Sequence, residues 1–113
     1  MAAVAITIDD RGVATLTIDH PPINLLSVDV FIEIAKAGAE LAASAEVRAV
    51  VLRSANSEWF IAHFDVSRIL QLPTGQPAPT ELNHFHVMSE TFRTMPKVTI
   101  CAIDGRVGGG GSE

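Results

Sequence analysis

At 113 residues the chain is sized for no more than one small domain, and 48% hydrophobic residues with a mean hydropathy of +0.31 give it material for a core rather than the composition of a disordered segment. A net charge of −5 without a basic stripe argues against a nucleic-acid or anionic-membrane surface. A single cysteine excludes an internal disulfide, the N-terminus lacks a signal-peptide pattern, and no apolar run reaches the roughly 18 residues that span a bilayer, so the expectation is a soluble cytoplasmic protein.

Residues 4–9 alternate, with Val4, Ile6 and Ile8 on one face and Ala5, Thr7 and Asp9 on the other. Asp9-Asp10-Arg11-Gly12 signals a solvated turn, and residues 13–19 alternate again with Ala14, Leu16 and Ile18 sharing a face. Together they predict a β-hairpin. His20-Pro21-Pro22 ends the second strand, because proline removes ladder donors. Ser27 is a good N-cap, and Phe31, Ile34, Ala35, Leu41 and Ala42 recur at helical spacing, which predicts a helix over 27–44. Gly38 falls on the same face, where it costs the helix about 1 kcal/mol relative to alanine and allows close packing. Ala49-Val50-Val51-Leu52 reads as a buried parallel strand within 47–54, completing a βαβ unit that should cross over right-handed.

Trp59-Phe60-Ile61-Ala62 is a second short apolar run, read as packing and broken at His63. Asp65 can cap a short helix through Leu70, and residues 72–80 are rich in Pro, Gly and Thr, as in a mobile surface loop. Thr80 is then the expected N-cap of a helix to about Met95, with Leu82, Phe85, Met88, Phe92 and Met95 as a core-facing stripe. Pro96 stops it. The β-branched run from Val98 to Ile103 predicts a buried strand in which Cys101 is a small core residue. His84 and His86 diverge on a helix, which makes a metal site improbable.

Three pieces then stand in order: the Pro22-Ile23-Asn24 loop, the break at Ala62-His63-Phe64-Asp65, and the run Asp104-Gly105-Arg106-Val107-Gly108-Gly109-Gly110-Gly111-Ser112-Glu113. Their order and spacing resemble the N-terminal part of the crotonase superfamily, the enoyl-CoA hydratase/isomerase group. The resemblance covers nearly all of this chain and less than half of a complete family domain. It implies an α/β fold, a crotonase-like β-β-α spiral that is incomplete here, with residues 1–113 as its N-terminal part, ending where the helix after the Gly-rich turn begins. It implies binding of acyl-coenzyme A thioesters and stabilisation of a thioester enolate by two backbone N–H groups, which map to Phe64 and Gly110. Glycine suits that task because a thioester oxygen must come within about 3 Å of the N–H, where a Cβ would crowd it.

Glu113, three residues after Gly110, matches the first of two glutamates that handle water and proton in the hydratases of this family; the second would lie beyond residue 113. By the same mapping Asp65, Val66 and Ser67 lie near the pantetheine or adenine of coenzyme A. No metal and no cofactor is implied beyond the coenzyme A carried by the substrate, and the family assembly is a homotrimer. Two departures stand out: His63 where the family usually has glycine, and Phe64 where it often has a small residue. Blander readings compete. The Gly108–Gly111 stretch and Ser112 look like a flexible linker, Glu113 suits any first helical turn, and His63 is a loop or wall residue. Two functions stay open: an acyl-CoA lyase or isomerase of the hydratase type, or a catalytically incomplete piece that at most binds coenzyme A or a partner.

Overall fold

The computed structural model describes residues 2–113, the side chain of Ile69 excepted. The alternating runs form the expected hairpin, β1 (Val4–Ile8) antiparallel to β2 (Val13–Ile18), with Val4 opposite Ile18 and Ile8 opposite Ala14. The Asp9 carboxylate accepts from the N–H groups of Arg11 and Val13 at 2.9 Å each, closing the turn as a solvated one. Ala14, Leu16 and Ile18 are fully buried, whereas Ile6 and Ile8 on the edge strand β1 remain exposed.

Helix α1 (Val28–Ala43) starts where its cap predicts, with Ser27 Oγ accepting from Val30 N at 3.3 Å. Its buried stripe is Val30, Ile34, Ala37, Gly38 and Leu41, recurring every three or four residues against the sheet. No basic residue lies in its last turn. Lys97 does that work from a distant part of the chain, donating from Nζ to the carbonyls of Leu41 and Ser44. β3 (Ala49–Ser54) pairs in parallel with β2, Val13 with Ala49 through Ile18 with Ser54, so strand, helix and strand form the predicted βαβ unit. β4 (Trp59–Ile61) follows, and a 3₁₀ helix over Val66–Gln71 meets the expectation of a short helix capped by Asp65.

Helix α2 (His84–Thr94) is capped three residues later than the expected cap at Thr80. Asn83 takes the cap, its side chain accepting from His86 N at 2.9 Å. Asn is a stronger cap than Thr, and Pro77 and Pro79 hold the preceding chain extended. Leu82 therefore leaves the stripe and is exposed, while Phe85, Met88 and Phe92 pack against the core and Met95 is buried. A Cβ on Gly38 would lie 2.8 Å from the Phe92 ring, so the glycine in α1 is what lets α2 approach.

β5 (Val98–Ala102) pairs in parallel with β3 and ends the sheet, in the order β1-β2-β3-β5. It is an edge, and the buried strand anticipated there is corrected: Val98 and Ile100 are exposed on the sheet face away from the helices, in register with Ala49 and Val51, and Cys101 on the helix side is exposed at the edge, where no further strand flanks it among the described residues. β6 (Arg106–Val107) pairs in parallel with β4 as a second small sheet. Arg106 stacks its guanidinium 5.2 Å above the Trp59 ring, fixing the two strands side by side.

Candidate functional site

The site is assembled around Asn24, a buried polar side chain in a loop with φ +54°. Asparagine tolerates this left-handed conformation better than most residues. Its Oδ1 accepts from His20 N at 2.8 Å, and its Nδ2 donates to Ser54 Oγ at 2.6 Å and to Phe60 O at 2.9 Å. Ser54 Oγ passes a bond on to Trp59 O at 2.7 Å. One amide thus ties the end of β2, the end of β3 and β4 together. The Pro-x-Asn loop was legible in sequence; its Ser54 partner, 30 residues away, was not.

Beyond β4 the chain forms a single bridge between Leu26 and Phe64. Leu26 N donates to His63 O at 2.9 Å, and Asp65 N donates to Leu26 O at 3.0 Å. This alternation directs the N–H of Phe64 away from the bridge. The glycine run lies against the same segment. Gly108 N donates to Ile61 O at 3.1 Å, and a Cβ on Gly108 or on Gly111 would fall 2.7 Å from Ala62 O or from Ile61 Cβ. The run then closes into a 3₁₀ turn over Gly109–Ser112. A flexible linker is therefore the wrong description: these residues are glycines because the backbone packs where side chains have no room. Among the described residues no acceptor takes the N–H of Phe64 or of Gly110.

A cavity of about 130 Å³ opens beside Gly110 and Gly111, between the sheet and α2. Leu26, Phe85, Met88 and Phe92 make its wall largely apolar, and Glu113 is the one carboxylate lining it among the described residues. Gly110 and Glu113 thus share one cavity, as their spacing suggests, although the turn between them is 3₁₀ and Glu113 is exposed at its rim. Cys101 also reaches the lining, where desolvation raises its thiol above the usual range. His63 is exposed, with Nδ1 2.8 Å from Phe64 O, in keeping with a loop residue.

Asp65, Val66 and Ser67 stand apart from the cavity. Ser67 Oγ and N donate to Asp65 Oδ1 at 2.6 and 3.1 Å, which holds the Asp65 carboxyl below its ordinary value. Asp65 faces a second, polar pocket of about 220 Å³ with Ser27, Val28, Asp29 and Arg68, at the start of α1. Val66 and Ser67 are exposed and line neither space. Among the described residues no three His, Cys, Asp or Glu side chains are grouped to hold a metal, and no helix is long and apolar enough to cross a membrane.

A mixed sheet joined to a two-strand sheet, with a glycine turn against the break after β4, defines a crotonase-like α/β fold. The family model for enoyl-CoA hydratase/isomerase matches residues 9–113, and the chain belongs to that family. The fatty acid oxidation complex subunit alpha of Shewanella halifaxensis (strain HAW-EB4) is 31% identical over 106 residues, which are 92% of this chain and 15% of that protein. A "Probable enoyl-CoA hydratase" of Bacillus subtilis (strain 168) is 28% identical over 113 residues, 100% of this chain and 43% of that protein. Among solved structures, an enoyl-CoA hydratase/isomerase family member superposes with a TM-score of 0.75 at 27% identity, over 96% of this chain and 42% of the other. An enoyl-CoA hydratase from Bacillus anthracis gives 0.81 at 20% identity, over 98% and 43%, a likeness of fold. The chain thus spans less than half the length of each of these proteins.

Proposed function

We propose that this chain forms the thioester end of an acyl-coenzyme A site and serves hydration or isomerisation of an enoyl thioester. The observation that carries the reading is the pair of unengaged backbone N–H groups, on Phe64 and Gly110, in segments packed against each other; Gly110 lines the apolar cavity and Phe64 stands outside its lining. Two such donors can share the charge that develops on a thioester oxygen as it becomes an enolate; loss of one donor of this kind typically costs about 3–4 kcal/mol of transition-state stabilisation. Glu113, in the rim of the same cavity, is the acid–base group. Hydration breaks an O–H bond of water and makes a C–H bond at the α-carbon, and a carboxylate beside the enolate can serve either proton. Asp65, Val66 and Ser67 would meet the pantetheine or adenine end, and coenzyme A enters only as part of the substrate. A cytoplasmic homotrimer is the setting that accompanies this reading.

Crotonyl-CoA hydration, followed by loss of the enoyl absorbance, tests it. Glu113→Gln should slow the reaction by about 10²–10⁴-fold. Full rate in that variant overturns the assignment of Glu113.

A second reading has its own support. Glu113 is the sole carboxylate in the cavity wall among the described residues, and hydration is readily divided between two. The chain would then bind acyl-CoA without turning it over, as a coenzyme A-binding or interaction module. Saturable binding of crotonyl-CoA with no hydration favours this reading; hydration abolishes it.

A further inference from the structure

Helix α1 carries two apolar stripes, where a surface helix needs one. Val30, Ile34, Ala37 and Leu41 form the buried stripe. On its outer side Val28, Ile32, Ala35 and Ala39 recur at steps of four, three and four residues, the spacing of a seam between two paired helices. Ile32 is 41% exposed and lines a groove that α1 forms with Val87 of α2, itself 50% exposed. An apolar seam open along its length fits a second helix laid into the groove.

The charges beside the seam single out which helix. Asp29 and Lys36 stand on one flank of it, two turns apart and both exposed. The ion pairs among the described residues are Arg11–Asp9 and Arg93–Glu90, so neither Asp29 nor Lys36 has a partner within the chain. Two copies of α1 laid antiparallel, with Ile32 opposite Ala35 of the second copy and Val28 opposite its Ala39, bring Asp29 beside Lys36 of the second copy. The twofold axis then repeats the pair with the roles exchanged. In a parallel arrangement the same flank would face Phe31 and Gly38, which offer no charge. We propose that a second copy of this chain docks in the groove, α1 antiparallel to α1 about a twofold axis. Apolar contact along the seam supplies the affinity, and the two ion pairs set direction and register, since exposed pairs contribute little to stability by themselves. The contact lies on the outer side of α1 and does not depend on the acyl-CoA reading.

The test is sedimentation equilibrium of the full 113-residue chain at low ionic strength, where charge pairing is least screened. The native chain should form a species with an even number of copies, and Ile32→Glu should halve its mass. Ile32 is exposed in the single chain, so this change leaves the core intact, and far-ultraviolet circular dichroism checks that each variant is folded. Asp29→Lys alone sets two lysines together twice, and Lys36→Glu alone sets two acids together twice. Each should weaken self-association about tenfold. Mixing the two variants in equal amounts restores opposite charges at both pairs and should recover the native mass, a result that a folding defect in either variant does not produce. A native chain that is monomeric, or that forms only a trimer, overturns the proposal and leaves the groove to another partner. An even-numbered species that Ile32→Glu does not split places the contact elsewhere, as at the β5 edge, and also overturns it. Charge variants that fail to recombine on mixing overturn the antiparallel register and the proposal with it.

Discussion

The half of the molecule made of β2, α1 and β3 and the half made of α2, β5 and the glycine turn use the same ingredients, an amphipathic helix against apolar strands, and reach different degrees of enclosure. α1 buries five residues, whereas α2 buries none within its span. Ala14, Leu16, Ile18 and Val50 are wholly inside, while Val98, Ile100 and Cys101 of β5 are exposed. The cause is partly the face, since Val98 and Ile100 stand in register with Ala49 and Val51 on the side away from the helices, and partly position, since β5 has one neighbouring strand among the described residues whereas β2 and β3 have two. Elements with few buried contacts open at lower free energy than the core. The cavity beside Gly110 lies between these halves, with a tightly packed floor from Ile18, Ile34 and Leu52 and a looser roof from α2.

The sharpest way to break this contrast is to cut equal amounts from each side. Leu16 is fully buried and stands opposite Leu52 in the sheet. Leu16→Ala should cost about 2–5 kcal/mol of stability. Met88→Ala in the half-buried roof should cost only about 1 kcal/mol, because the site already borders a cavity that can absorb the change. Urea unfolding followed by circular dichroism measures both. Similar losses would mean that the roof is as well packed as the floor and that the contrast is only one of surface exposure.

Legibility in the sequence follows the same division. The hairpin, the Ser27 cap and the βαβ unit were readable because each rests on local signals: alternation, a capping side chain and an apolar run bounded by turns. The start of α2 was not, because Thr80 and Asn83 are both acceptable caps and only the extended run before Asn83 decides between them. Cys101 was misplaced because a β-branched run looks the same in a central strand and at an edge, and the number of neighbours is not written in the run itself. In the candidate site, the glycine turn was legible through the family resemblance, which also supplies the roles proposed for Phe64 and Glu113. Physical chemistry alone would have left residues 108–112 as a linker, since the steric walls that demand glycine, Ile61 and Ala62, lie more than 40 residues upstream. Ser54 under Asn24, Lys97 under α1 and Phe85 over Gly110 share this character: each acts through a partner remote in sequence.

The contact between the halves can be tested at Gly38. A side chain there would strike the Phe92 ring, and Gly38→Val should destabilise the protein by about 1–3 kcal/mol through overpacking. Removing the obstacle should recover part of that loss. The double variant Gly38→Val with Phe92→Ala should therefore lose less than the sum of the two single changes, by an interaction energy of about 0.5–3 kcal/mol. Additive losses would show that α2 does not bear on α1 at this point, and the roof would be looser than the geometry implies.

The smallest effect concerns a side-chain tie that the looser half provides to the firmer one beside the β3–β5 ladder. α1 ends without a base of its own, and the Lys97 ammonium, just ahead of β5, donates to the carbonyls of Leu41 and Ser44. A cation at a helix C-terminus contributes about 0.3–1 kcal/mol when exposed and up to about 2 kcal/mol when partly buried, as Lys97 is. Lys97→Met keeps the aliphatic stem and removes the charge and its donors, so the loss should fall in that range. Salt separates this from a packing defect, because screening weakens the ammonium–carbonyl attraction and leaves apolar contacts in place. The gap in urea midpoint between the native and Lys97→Met proteins should narrow as salt rises from 0.02 to about 1 M, where the Debye length falls to about 3 Å. A gap that is unchanged by salt would assign the effect to the lysine stem, and the carbonyl contacts would then contribute nothing measurable to holding the two halves together.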